Sequence, residues 1–197
     1  MARLAVSAVL AVTALAVLAA CGGGSTDTAA EATQPTTQTQ AATTGPQTEP
    51  GTAECTEEEL PDQGADHVTE LPQGFEYNSF PATSGPHAAQ PAIWNLYTSP
   101  VPELNLVHNL EHGGVAVQFG KDVHPDDIRA VVAWYLLSPD GMVVAPLPEL
   151  EDTIALTAWR HLLTCTGFDE QAITAFRDTY RFNGPEKLPP DTMQRGM

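Results

Sequence analysis

Three hydropathy regimes follow one another along the chain. From Leu4 to Ala20 the residues are Ala, Val and Leu, interrupted only by Ser7 and Thr13. From Gly22 to Glu54 there is no aromatic residue and no Val, Ile, Leu or Met. From Cys55 onward apolar and polar residues recur with short, regular periods, as in a chain that folds around a core. Elements of secondary structure are therefore sought in the third regime.

Val115-Ala116-Val117-Gln118-Phe119 follows Gly113-Gly114 and predicts a strand bounded by turn residues. Pro125 suits the first position of a helix, with Asp126 and Asp127 in its first turn. Ile128, Val131, Val132, Tyr135 and Leu136 then recur at helical spacing until Pro139 stops the run. Met142 to Ala145 predicts a second strand, ended by Pro146, and the weakly alternating Ile154 to Trp159 a third. Asp169 predicts the N-cap of a last helix in which Ile173, Phe176 and Tyr180 share a face, with Gly184-Pro185 after it. Two patterns compete over residues 104–112. Leu104, Leu106, His108, Leu110 and His112 alternate as a strand does, while Leu104, Val107, His108, Glu111 and His112 fit a helical stripe. His67 to Pro102 is rich in Pro, Gly, Ser and Asn and reads as irregular but specific. The expected fold is a single α+β domain over residues 55–197. Its small mixed or antiparallel sheet is covered by two helices and preceded by a long irregular segment.

The first two regimes predict targeting and spacing. Arg3, the apolar run and the closing Leu18-Ala19-Ala20-Cys21 form a secretory signal over residues 1–20. The last four residues look like a bacterial lipobox, in which the cysteine is acylated and begins the mature chain. Each buried CH₂ of such an anchor contributes about 0.8 kcal/mol, so acylated Cys21 would hold the protein to the lipid bilayer at the outer face of the cell membrane. Residues 21–54 are mainly Thr, Gln, Ala, Gly and Pro, too polar to offset the entropy of ordering, and predict a disordered tether.

Charge and cysteines narrow the picture further. With 25 acidic against 8 basic residues and a net charge of −17, the chain is a poor partner for nucleic acid, whose phosphates require clustered Lys and Arg. Only Asp27, Glu31, Glu49 and Glu54 of the acids lie in the tether, so the domain itself is acidic. Of the 3 cysteines, Cys21 is taken by the lipid, which leaves Cys55 and Cys165 to pair as a disulfide in an oxidising compartment.

Candidate chemistry lies in the histidines of Ser84-Gly85-Pro86-His87 and His108-Asn109-Leu110-Glu111-His112-Gly113-Gly114. Imidazole is the commonest protein ligand for zinc and copper. His108 and His112 stand one turn apart if the segment is helical and roughly 13 Å apart if it is extended. His87, His108 and His112 are the expected metal ligands, with Glu111, Met193 and Met197 as possible additions. Thioethers suit Cu(I), so the tail holding Met193 and Met197 could close a copper site, but it reads rather as a frayed terminus. The same five residues match H-x-x-E-H, an inverted zinc-protease pattern in which Glu111 would be the general base. His67 and His161 have no partner visible in sequence, and His124 reads as a solvated neighbour of a helix cap.

Tyr77 to His87, His108 to Val115, and Val144-Ala145-Pro146 with Ile154 to Trp159 resemble, in order, three signatures of the domain of unknown function 3105 family. The chain departs from them at Ala88 and at Phe80-Pro81-Ala82. The resemblance implies a bacterial secreted or membrane-anchored protein and assigns no activity. Three functions are compatible with these residues: a tethered metal-binding protein favouring copper over zinc, a metal-free extracytoplasmic binding or envelope-assembly module, and a zinc-dependent hydrolase.

Overall fold

The computed structural model describes residues 53–197. The expected signal, the expected lipidation site at Cys21 and most of the expected tether lie outside them. Among the described residues no helix is long and apolar enough to cross a membrane.

A five-stranded mixed sheet organises the domain. Its strands are β1 (Cys55–Glu59), β2 (Val115–Phe119), β3 (Met142–Pro146), β4 (Ile154–Ala158) and β5 (His161–Cys165), in spatial order β1-β5-β4-β2-β3. The helices are α1 (Glu103–Glu111), α2 (Pro125–Leu137) and α3 (Glu170–Tyr180). β2 and β3 pair in parallel, which requires a crossover, and α2 supplies it. The remaining pairings are antiparallel.

Both faces of the central strands are covered, and this explains their sequences. Val115 and Val117 of β2, with Met142 and Val144 of β3, pack against Val131, Trp134 and Tyr135 of α2 and Ile173 and Phe176 of α3. The alternate residues Ala116, Val143 and Ala145 face a second cluster with Leu106, Val107 and Leu110 of α1 and with Trp94 and Val101 of the irregular segment. Strands buried on two sides read as continuous apolar runs. Every residue of β4 is buried, so its alternation in sequence is weak. The sheet is thus mixed and carries three helices, one more than the two expected.

Two strands escaped the periodicity. β1 is Cys-Thr-Glu-Glu-Glu, an exposed edge strand of low β-propensity. β5 follows β4 after the two-residue turn Trp159-Arg160, which contains none of the usual Gly or Asn signals. Arg160 occupies the left-handed region there at φ 67°. Cys55 and Cys165 are register partners, and their sulfurs lie at a disulfide distance of 2.05 Å.

The chain's C-terminus is tied down, contrary to the expectation of fraying. Trp94 N–H donates to the Met197 carbonyl, Gly196 N–H donates to the Trp94 carbonyl, and Met193 is fully buried in the second cluster. Met197 itself is exposed.

The disulfide closes a loop of 110 residues, a constraint on the unfolded chain of about 4–5 kcal/mol in the chain-entropy model. Replacing both Cys55 and Cys165 by Ser should lower the free energy of unfolding by most of that amount. Urea denaturation followed by circular dichroism checks it; an unchanged midpoint would show that the cross-link does not hold the sheet together.

Candidate metal centre

The last turns of α1 bury polar side chains, and a buried polar group must find a partner. Leu106 to Glu111 are six consecutive buried residues, which include His108, Asn109 and Glu111. Asn109 is satisfied by the backbone of Ala92, accepting from its N–H and donating to its carbonyl at 2.8 Å each. His108 donates from Nδ1 to the Ala88 carbonyl at 2.7 Å. The irregular segment is therefore the hydrogen-bonding complement of α1.

That segment is held in shape from several sides. The backbones of residues 66–68 pair with His87: Val68 N–H donates to the His87 carbonyl and His87 N–H to the Asp66 carbonyl. Tyr77 Oη donates to the Pro86 carbonyl at 2.6 Å, and burial pushes its pKa up to about 12, so it stays a donor. Gly85 sits at φ 121°, where a Cβ would meet the rings of Tyr77 and Phe75 at 3.0 and 3.2 Å. Glu103, at the start of α1, accepts from Ala82 N–H; its pKa is raised by burial and held back by that hydrogen bond.

Four side chains converge. His67, His87, His108 and Glu111 each offer a ligand atom, and all four atoms lie within 4.8 Å of one another. Glu111 Oε2 is 3.1 Å from His87 Nε2 and 3.6 Å from His67 Nε2. Donors sharing one tetrahedral metal at about 2.0 Å stand about 3.3 Å apart, so these spacings already suit a common ion. His87 is fully buried, His108 and Glu111 nearly so, while the His67 side chain is 49% exposed.

Proton accounting favours a cation among them. A carbonyl oxygen only accepts, so Nδ1 of His87 carries a hydrogen for Gly85 O at 2.8 Å, and Nδ1 of His108 carries one for Ala88 O. In the neutral rings both Nε2 atoms are then lone pairs, directed at a carboxylate in one case and a second imidazole in the other. Burial lowers the pKa of His108, the Ala88 hydrogen bond only partly opposing it, and so favours the neutral, ligating form. An Nδ1–H fixed by a backbone carbonyl is also how metal-binding imidazoles are commonly oriented.

The expected ligands divide between two groups. His87 and His108 belong to the four-residue cluster, with Glu111. His112 lies beside it, its Nε2 3.0 Å from His108 Nε2, in a second group with Glu111 and Glu186. The open question over residues 104–112 is settled as a helix. Its end is a Schellman arrangement in which Gly113 N–H reaches Leu110 O and Gly114 N–H reaches Asn109 O, with Gly113 at φ 84°.

His67 and Glu186 were not singled out in sequence. His67 lies 20 positions before His87 and is brought to it by the short backbone pairing, which no local pattern announces. Met193 packs among apolar side chains. His124 caps α2, accepting from Asp126 N–H, and His161 stacks on Tyr180 with ring centres 4.0 Å apart.

Glu186 is delivered by a tight backbone approach. Phe182 N–H donates to Gly113 O at 2.6 Å, and Glu186 N–H to Glu111 O at 3.1 Å. A Cβ on Gly184 would collide with Glu111 O and Gly113 N. Gly184→Ala should therefore destabilise the protein by about 1–3 kcal/mol, as overpacking does. Thermal and urea unfolding measure this, and wild-type stability in G184A would mean that the 182–186 segment is free to move away.

A family model described as Protein of unknown function (DUF3105) matches residues 67–192, a span that begins at His67 and contains every residue of both groups. No curated protein and no solved structure matches the chain.

Proposed function

The chain belongs to the DUF3105 family, and on the geometry of its histidine cluster we propose that it is a membrane-tethered, extracytoplasmic protein that binds a transition metal. The observation that carries this reading is the convergence of His67, His87, His108 and Glu111, two of whose imidazoles have Nδ1 engaged by backbone carbonyls. Three nitrogens and a carboxylate form a borderline donor set suited to Cu(II) or Zn(II). The affinity order of divalent ions places copper first for a given set of such donors, above zinc. When bound, the ion would supply Lewis acidity or, in the case of copper, redox chemistry; the protein's role is to hold the ligands oriented and partly shielded.

The tether is supported by sequence. Leu18-Ala19-Ala20-Cys21 fits lipidation, and the polar stretch after it fits a spacer between bilayer and domain. The acidic domain repels anionic lipid and attracts cations, which suits a metal-binding protein held near a membrane. The hydrolase reading is disfavoured, since Glu111 is buried against His87 rather than facing open water.

Metal titration tests the proposal. Trp159 lies edge-on to His87 with ring centres 6.2 Å apart, so Cu(II) in the cluster should quench indole fluorescence. Glu111→Gln should weaken binding by more than about 100-fold, because it removes a ligand rather than a supporting group. Equal Cu(II) affinity in wild type and E111Q would leave the metal-free binding module as the better reading. In cells, Cys21→Ser should abolish labelling by a radioactive fatty acid and move the protein out of the membrane fraction.

A further inference from the structure

The four-residue cluster does not account for His112 and Glu186. His112 Nε2 lies 3.0 Å from His108 Nε2 and 3.2 Å from Glu186 Oε2. With His108 Nδ1–H committed to Ala88, both neighbours are acceptors, and the single hydrogen that a neutral His112 could carry on Nε2 cannot serve both. The His112 side chain is only 12% exposed, so water does not readily resolve the conflict. On the other side, His87 Nε2 faces Glu111 Oε2 with the same shortage of hydrogens. The two shortages are adjacent, and they meet at Glu111.

Glu111 belongs to both ligand groups. It joins His67, His87 and His108 within one 4.8 Å set, and His112 and Glu186 within another. A carboxylate has two oxygens and about four lone-pair sites, enough to serve two ions at once. Helical spacing supports the division. His108 and Glu111 are three residues apart and His108 and His112 four apart, so all three project from one side of the last turn of α1.

We propose that the centre is dinuclear, with the Glu111 carboxylate bridging two ions. An inner ion is held by His67, His87 and His108, and an outer ion by His112 and Glu186. This rests on the metal-binding reading above and extends it. Paired ions in such centres stand about 3.5–4 Å apart, a distance that one carboxylate spans. The two positions differ in shielding. The inner one is backed by fully buried His87, whereas the Glu186 side chain is 55% exposed. The inner position therefore fills first, and the outer one binds more weakly and exchanges faster. The two carboxylates offset only some of the charge of two divalent ions, so the exposed side of the outer ion is a place for water or a small anion.

Cu(II) titration of the intact, chelator-treated protein decides the matter, with bound copper counted after desalting and electron paramagnetic resonance recorded at each step. Wild type should take up two ions per chain, and the second should diminish the isolated-Cu(II) signal by spin coupling to the first. Glu186→Gln changes an exposed side chain and should leave folding intact. It should hold one ion with an isolated-Cu(II) spectrum and unchanged affinity for that ion. One ion in wild type would overturn the dinuclear centre while leaving the metal-binding reading in place. No ion in wild type would overturn both. Two spin-coupled ions in E186Q would show that Glu186 is not the outer ligand and overturn the assignment made here.

Discussion

Burying the polar end of α1 is the constraint on which the surrounding structure depends. His108, Asn109 and Glu111 share the last turns of a short helix with Leu106, Val107 and Leu110, and all six are buried. The apolar three dock on the sheet through Ala116, Val143 and Ala145. The polar three need partners that no neighbouring helix or strand supplies, and each buried group left without one costs about 1–3 kcal/mol. The irregular segment provides them for His108 through Ala88 O and for Asn109 through both backbone groups of Ala92, and it sets the His87 ring against Glu111. Its shape follows from that task. A regular strand or helix keeps its carbonyls for itself, whereas a chain of turns rich in Pro and Gly has them free to give away.

The same demand explains why the ligands come from such distant stretches of the sequence. α1 contributes side chains from a rigid element, the turns around His67 and His87 contribute imidazoles braced by the backbone, and residues 182–186 close over the helix end. Rigid placement of ligands and outer hydrogen bonds to their far nitrogens are what a binding centre needs to select its ion by geometry. Trp159, packed edge-on to His87 and donating to Asp62 Oδ2 at 3.0 Å, links this braced region to the turn between β4 and β5.

The regions of the fold legible in sequence are those where a single local preference decides the outcome. α2 and α3 carry end signals together with a helical stripe, and β2 and β3 are apolar runs between turn residues. The two ligands from the middle of the chain, His87 and His108, stood out through motif context. β1 and β5 were hidden because they are strands for non-local reasons: pairing and a cross-link in one case, and a turn without Gly or Asn in the other. Residues 104–112 fitted two periods, and the tie was broken by Pro102, whose carbonyl receives the first helical N–H groups of Asn105 and Leu106, and by the glycine ending at Gly113-Gly114. His67 and Glu186 become neighbours of the site only through backbone contacts between segments far apart in sequence, which periodicity does not register.

The position of the disulfide has a mechanical consequence. Cys55 is the first residue of β1, and its register partner Cys165 is the last residue of β5. A pull on the chain ahead of Cys55 acts on that end of the β1–β5 ladder, the geometry in which hydrogen bonds would otherwise break in succession, each pair exposing the next. The cross-link stands in front of the first pair. The load passes through a covalent bond into β5, which is anchored along its length to β4. Traction from the N-terminal side therefore bypasses the β1–β5 hydrogen bonds and enters the sheet through β5 and its neighbour β4.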